Sequence, residues 1–503
     1  MNVEDKVISD AKHAPPQTDS NRLRSLSRPA GVASLVAISV AALMLAAVPS
    51  WWPVLLGGQA SPLVALGVLM SVVAAGAAFV HYTVHHQTGA LQSPARQALL
   101  GGLTVGLFAL VTLLDHLHAP ALVTPLPAGA IMVFLFMNRS TAMAAVLAWG
   151  LLLQALPTQG PDVVVVGILG SWVAVEALKR VRERWDVGRA GFRVAAAMAV
   201  ATALLLLLRS RGWEEIGLSA MHAALSGPMA VVLGMGLLPY LERLSGIVTP
   251  FTLLELANPA QPLLRTLLLK APGTYHHSIL VGNLGEAAAE AVGADPLLVR
   301  VGAYYHDIGK TKRPYFFIEN QQGMPNQHDQ ISPRLSALVI TAHVREGIEM
   351  AKEHRLPDQV AAFIPTHHGC SLVSYFYHQA CESEGADEVL EEHFRYPGPR
   401  PSTKETAIVM LADGVEATCR TLTRPSPEQI EATIRRIVQK RVDEGELSET
   451  PLTLAEIEVI IGVFNRILQG LYHQRIEYPD QLLEREERAR REDRRRLGGS
   501  PRS

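Results

Sequence analysis

Histidine and aspartate stand side by side at His306-Asp307, followed by Ile308-Gly309-Lys310. An imidazole nitrogen and a carboxylate on adjacent residues can serve one metal ion, and the second carboxylate oxygen stays free to bridge to another. Alone, such a dipeptide is usually a solvated pair, so its weight depends on matching donors elsewhere. Beyond Glu255 lie 11 of the 18 histidines. Those that matter are His277, His306, His343, His367 and His368, which join Asp307 and Asp413 on separate predicted helices or at helix edges. A helical bundle can aim them at one point, a usual place for dinuclear carboxylate and histidine centres. Taken singly, a buried histidine is more often just hydrogen-bonded. Together, five imidazoles and two carboxylates without a thiolate suit Mn, Fe, Co or Ni better than a closed tetrahedral zinc site. Seven donors with one bridging carboxylate match two divalent transition-metal ions about 3.5–4 Å apart. The remaining histidines of this half are assigned to surface or packing, and His276 stays ambiguous beside His277.

The elements that must position these residues are helices. Tyr275–Val292 spaces apolar residues at helical intervals and Gly293 is a C-terminal stop. Asp295-Pro296 is an N-cap followed by proline, opening a helix that runs into His306-Asp307. Ser332–His354 forms another helix or a pair. Ser402-Thr403-Lys404-Glu405 is a capping box heading the helix that carries Asp413, and Ser426–Gln429 and Thr453–Glu456 are two more. Strand signals are almost lacking, so the expected fold is all-α. From about Glu484 the chain is mostly Glu and Arg.

The other half is of a different kind. Hydrophobic residues make up 49% of the chain, charged residues only 18%, and mean hydropathy is +0.18. The excess is concentrated between Gly31 and Leu238. Eight apolar runs are expected as membrane helices: Gly31–Trp52, Pro62–Val84, Gln97–Leu117, Leu122–Met137, Ser140–Leu156, Val163–Leu178, Ala190–Leu208 and Gly217–Leu238. A spanning helix needs about 20 apolar residues. The fourth to sixth runs are at or below that length and could be tilted, longer, or partly re-entrant.

Basic residues in the N-terminal segment, at Arg96, at Arg139 and in Lys179–Arg184 fall on one side, which is then cytoplasmic. Arg209 and Arg211 dissent mildly, offset by Glu214 and Glu215. The globular half is therefore expected inside. Ionisable groups in or near the spans (His81, His85, His86, Asp115, His116, Glu176, His222) are read mainly as helix-end residues reaching the headgroups. The net charge of −2 gives no support to binding a nucleic acid polymer. Three cysteines without metal-finger spacing are expected to be reduced. The expected organisation is a disordered N-terminus over 1–29, a transmembrane domain over 30–240, a connector over 241–272, the catalytic domain over 273–480 and a charged tail over 481–503.

The order His277, His306-Asp307, His343, His367-His368, Asp413 resembles the HD phosphohydrolase superfamily. More narrowly, the second half is similar to the seven-transmembrane HD family, the PgpH-type cyclic di-AMP phosphodiesterases. Motifs that carry the likeness include Pro272–Ser278, Arg313-Pro314, Phe317–Gln321, Phe394–Pro399, Leu411-Ala412-Asp413 and Leu471-Tyr472-His473. The resemblance implies a multi-pass protein of the bacterial cytoplasmic membrane that opens cyclic di-AMP to pApA with two ions, Mn or Fe first. It further implies that one ion takes His277, His306, Asp307 and Asp413, and the other takes Asp307, His343, His367 and His368. Lys310 would contact a non-bridging phosphate oxygen. Gly309 would admit substrate or backbone closely. Arg313, Tyr315 and Asn320 are substrate-binding candidates.

Expected partners are the cyclic dinucleotide and the lipid bilayer, and the pattern is compatible with a homo-oligomer. Family members usually carry a large extracellular domain after the first span, whereas here Pro53–Ser61 is all that joins the first two runs. The rivals are a cyclic di-GMP phosphodiesterase, another nucleotide phosphohydrolase, and a non-catalytic nucleotide-binding membrane receptor. Gly369-Cys370-Ser371-Leu372 after the paired histidines, with no Gly-Tyr-Pro nearby, counts against the guanine enzyme. A pure binder has no need of all seven donors.

Overall fold

The computed structural model describes residues 93–472, except 155, 157, 180, 182, 322, 324, 386, 387 and 424. The expected N-terminal segment, the first two apolar runs with their connection, and the charged tail lie outside the described residues. Within them the fold is all-α, as the sequence led us to expect. An isolated antiparallel bridge, Leu372 to Arg395, is the one β pairing among the described residues. The chain divides into two compact units after Glu255.

The first unit contains α1 (Pro94–His116), α2 (Leu126–Phe136), α3 (Arg139–Leu153), α4 (Pro161–Ala177), α5 (Trp185–Leu208), α6 (Trp213–Ser245) and most of the short α7 (Pro250–Leu256). Six of these coincide with the third to eighth apolar runs. Among the described residues, α1, α5 and α6 are long and apolar enough to cross a membrane by length and composition, and α4, with 17 residues, is at the lower limit of a spanning helix. The 11 residues of α2 would extend about 16 Å, roughly half a hydrocarbon core. All of them but Phe134 are buried inside the unit. Asn138 then caps α3 by accepting from the Thr141 amide at 2.8 Å.

α5 and α6 cross at Gly191 and Gly227. A methyl group on Gly227 would stand 2.3 Å from the Gly191 carbonyl oxygen, so only two glycines allow the backbones this close. Ion pairs mark the two ends of α4: Arg209 binds Asp162 at the start, and Arg139 and Lys179 bind Glu176 in the last turn. Arg209 is thus balanced by Asp162, not by the nearby glutamates as the sequence suggested. Arg211 does lie near Glu215, at 3.7 Å.

The second unit contains α8 (Pro262–Lys270), α9 (Pro272–Ala291), α10 (Pro296–Tyr305), α11 (Pro333–Glu353), the single turns α12 (Asp358–Ala361) and α13 (Phe363–Thr366), α14 (Ser374–Glu384), α15 (Lys404–Cys419), α16 (Pro427–Asp443) and α17 (Leu454–Tyr472). Short 3-10 turns, among them Ile308–Lys312, follow α10. The core gathers around α15. Its run from Thr406 to Asp413 is buried throughout, because the helix is apolar on every face and must be enclosed by α9, α10, α16 and α17.

Several caps match the sequence expectation. Asp295 accepts from Leu298 N, Ser332 from Leu335 N, and Ser426 and Gln429 form a reciprocal box. The α15 box is shifted by one residue: Thr403 and Thr406 form it, not Ser402 and Glu405. Thr406 can return its hydroxyl to the Thr403 amide, so both orphan N–H groups find a partner in that register.

Candidate metal centre

The sequence of each element decides where its donor points. His277 lies in the second turn of α9 and His306 caps α10. His343 is at the middle of α11, His367 caps α13, and Asp413 faces inward from α15. The structure brings six of the seven together as buried side chains, and His368 is partly buried. Their donor atoms form three overlapping groups: His277 with His306 and Asp413, His343 with His367 and His368, and His306 with Asp307 and His367.

Asp307 lies between the two sets. Its Oδ2 is 3.2 Å from His306 Nε2 and 3.8 Å from His277 Nε2, whereas its Oδ1 is 3.3 Å from His343 Nε2 and 3.5 Å from His367 Nε2. Asp413 places Oδ1 3.0 Å from His277 Nε2 and Oδ2 3.7 Å from His368 Nδ1.

Local hydrogen bonds fix the ring tautomers. The Nδ1–H groups of His306, His343 and His367 donate to the carbonyls of Ala303 (2.6 Å), Ile340 (2.5 Å) and Ile364 (2.8 Å). A carbonyl can only accept, so each neutral ring turns the Nε2 lone pair into the site. His306 Nε2 and both oxygens of Asp307 are buried without a well-directed hydrogen bond. Buried polar atoms are normally satisfied, and cations shared by these groups would satisfy them. The donor set therefore fits metal binding.

Electrostatics prepare the same groups. Burial opposes ionisation of Asp307, yet His306 and Lys310 outweigh it and hold the carboxyl well below the usual range. Burial dominates at His343 and lowers its pKa to about 3, against the pull of Asp307. At His306 burial works against the charge, but Asp307 and Asp413 prevail and raise the pKa to about 10, so an ion bound at its Nε2 must displace a proton.

Lys310 follows in the 3-10 turn rather than in a continued α-helix. Its ammonium stands 2.7 Å from Asp307 Oδ2 and donates to Glu319 at 3.0 Å. Gly309 meets backbone: a methyl there would lie 1.9 Å from the His343 carbonyl oxygen.

Of the substrate-binding candidates, Arg313 pairs with Glu346 at 2.6 Å and is exposed, as is Tyr315. Asn320 is buried, and its amide caps α9 by accepting from Gly273 N (2.9 Å) and Thr274 N (3.2 Å) and donating one N–H to Thr274 Oγ1 (2.9 Å), which gives it a structural part at the start of that helix. His276 is exposed and plays no part in the cluster.

Three residues were missed. Glu416 is buried one turn after Asp413 and accepts from His277 Nδ1. Its signal was the i, i+3 spacing of two acids in a helix otherwise apolar all round. Glu319 holds Lys310 and also accepts from Thr274 Oγ1 at 2.9 Å. Tyr396 lays its ring against His368, with centroids 4.1 Å apart.

Residues 61–249 match the family of 7TM receptors with an intracellular HD hydrolase, and residues 274–418 match the HD domain. The two matched stretches are the two parts of the 7TM-HD architecture, in the same order along the chain. The chain is a multi-pass membrane protein with an intracellular HD domain. It is 40% identical over 364 residues to the cyclic-di-AMP phosphodiesterase PgpH of Bacillus subtilis, covering 71% of this chain and 51% of that one. To PgpH of Listeria monocytogenes it is 41% identical over 315 residues, 62% of this chain and 44% of the relative. The 7TM-HD chain thus spans about half the length of the curated relatives it matches. The crystal structure of the Listeria PgpH HD domain with cyclic di-AMP is 44% identical over 43% of this chain and all of that one, at a TM-score of 0.42.

Proposed function

We propose that this 7TM-HD protein is a phosphodiesterase of the bacterial cytoplasmic membrane that opens cyclic di-AMP to linear pApA. The observation that carries the reading is Asp307, one carboxylate oxygen turned to each of two histidine sets. The names of the relatives support the adenine substrate. Two divalent ions, Mn or Fe, would be held by His277, His306, Asp307 and Asp413 on one side and Asp307, His343, His367 and His368 on the other. When bound they supply an activated water and positive charge for the phosphate oxygens.

The chain's own residues do the rest. Asp307 and the Nδ1-anchored imidazoles hold their lone pairs in place before substrate arrives. Lys310 brings a cation to the rim of the site and stabilises charge on a non-bridging oxygen as the phosphodiester opens. Glu319 keeps that ammonium aimed, and Arg313 and Tyr315 are the exposed groups available to hold the nucleotide.

The test is turnover by the full chain in detergent, loaded with Mn or Fe and offered cyclic di-AMP and cyclic di-GMP side by side. Faster cleavage of cyclic di-AMP is expected, abolished by His306→Ala with Asp307→Ala. Faster cleavage of the guanine substrate, or an unchanged rate in the double variant, would overturn the reading.

A further inference from the structure

The two sides of the centre are unequal in charge. On one side stand His277, His306 and Asp413, and behind His277 stands Glu416. On the other stand His343, His367 and His368, where the anchored rings lean on the neutral carbonyls of Ile340 and Ile364 and His368 lies against the Tyr396 ring. Asp307 is common to both. The nearest cation, Lys310, touches Asp307 on the first side but is matched there by Glu319. Asp413 does reach toward His368, yet at 3.7 Å, against 3.0 Å to His277.

We infer that the two positions load in order. This rests on the dimetal reading given above. The first ion enters between His277, His306 and Asp413, and Glu416 is the positioning residue that makes this position the tighter. Glu416 accepts the His277 Nδ1–H, which fixes the tautomer with Nε2 facing inward. Its negative charge also makes the ring a stronger donor than one resting on a carbonyl, the part outer carboxylates play at metal-bound histidines. The second ion enters the neutral His343–His367–His368 position more weakly. The protein then answers to divalent-metal supply through its second position, while the first stays filled.

The test is calorimetric titration of the metal-stripped full chain in detergent with Mn2+ alone, without nucleotide. Two steps of different affinity are expected. Glu416→Gln should weaken the tighter step by about 10–100-fold and leave the weaker one in place, with thermal unfolding in chelator like that of the parent. Glu416→Asp should restore part of the loss. His343→Ala should keep the tighter step and lose the weaker, and it tests the order even if the Glu416 variants fold poorly. Two equal affinities, an effect of Glu416→Gln on the weaker step alone, or loss of the tighter step in His343→Ala would overturn the inference. Binding of fewer than two ions by the parent chain would instead remove the dimetal reading itself.

Discussion

Lys310 Nζ stands 2.7 Å from Asp307 Oδ2, and the same ammonium donates to Glu319 at 3.0 Å. Its charge is held between two carboxylates and, at 4.9 Å, over the ring of Phe317. Burial alone would discharge the amine, but Asp307 and Glu319 outweigh it and raise its pKa above the ordinary lysine value. The side chain is therefore a fixed cation, aimed before substrate binds.

Removing that cation should act on the chemical step. Lys310→Met is expected to lower kcat by about 10²–10³-fold, the usual loss when one preorganised electrostatic donor is deleted, and to change KM much less. Lys310→Arg should not rescue it, because a planar fork cannot replace a point charge between two carboxylates. Steady-state kinetics on cyclic di-AMP decides this, and an unchanged kcat would leave Lys310 a structural partner of Asp307.

Gly309 offers a separate test of how the turn is seated. An added methyl would lie 1.9 Å from the His343 carbonyl oxygen and 2.7 Å from Gly347 N, both rigid backbone of α11. Gly309→Ala must push α11 away and carry His343 with it. A loss of about 1–3 kcal/mol in stability is expected, together with weaker Mn2+ binding. Gly462→Ala in α17, where an added methyl meets nothing within 4 Å, is the control and should be neutral or slightly stabilising. Thermal unfolding of both variants gives the comparison.

These details show where reading the chain succeeded and where it stopped. The all-α fold was legible because caps such as Asp295-Pro296 and Ser426–Gln429 mark helix starts by chemistry that needs no tertiary context. The donor histidines stood out because imidazoles are rare in helices that are otherwise apolar. The capping role of Asn320 was not legible, because an amide in a dense motif can bind ligand or cap a helix, and its partner Thr274 lies 46 residues away. Glu416 was overlooked because attention stopped at Asp413, although a second acid one turn later in a buried helix must find a partner. Gly309 was read as making room, and the structure shows that the room is for α11. The fourth apolar run was legible as short, but not that its helix starts only at Leu126, since an apolar run does not say where its helix breaks.

Metal removal should cost stability in the HD unit. Both oxygens of Asp307 and Nε2 of His306 are buried without a directed hydrogen bond, so an ion that binds only the folded chain stabilises it by mass action. At free metal about 100 times Kd this amounts to roughly 2.7 kcal/mol. Excess chelator is expected to lower the Tm of the parent chain, and Asp307→Asn should shrink that shift because the carboxamide cannot bridge two ions. Scanning calorimetry with and without chelator measures it, and an equal shift in both proteins would take Asp307 out of the site.

The ion pairs of α4 make a prediction about sidedness. Arg209 holds Asp162 at its first turn, with one contact at 2.8 Å, while Arg139 and Lys179 hold Glu176 in its last turn. The helix has 17 residues, which at 1.5 Å each separates these ends by about 25 Å. The end that bears Arg139 and Lys179 is richer in basic residues and should face the cytoplasm. In a chain with Cys370, Cys381 and Cys419 replaced, a membrane-impermeant maleimide should label Thr158→Cys on intact cells and Arg184→Cys only after permeabilisation. Both positions are exposed, so labelling reports on the membrane and not on burial. Cytoplasmic nucleotides reach the HD domain only in that orientation. The reverse pattern would remove cyclic di-AMP as the substrate, whatever the geometry of Asp307.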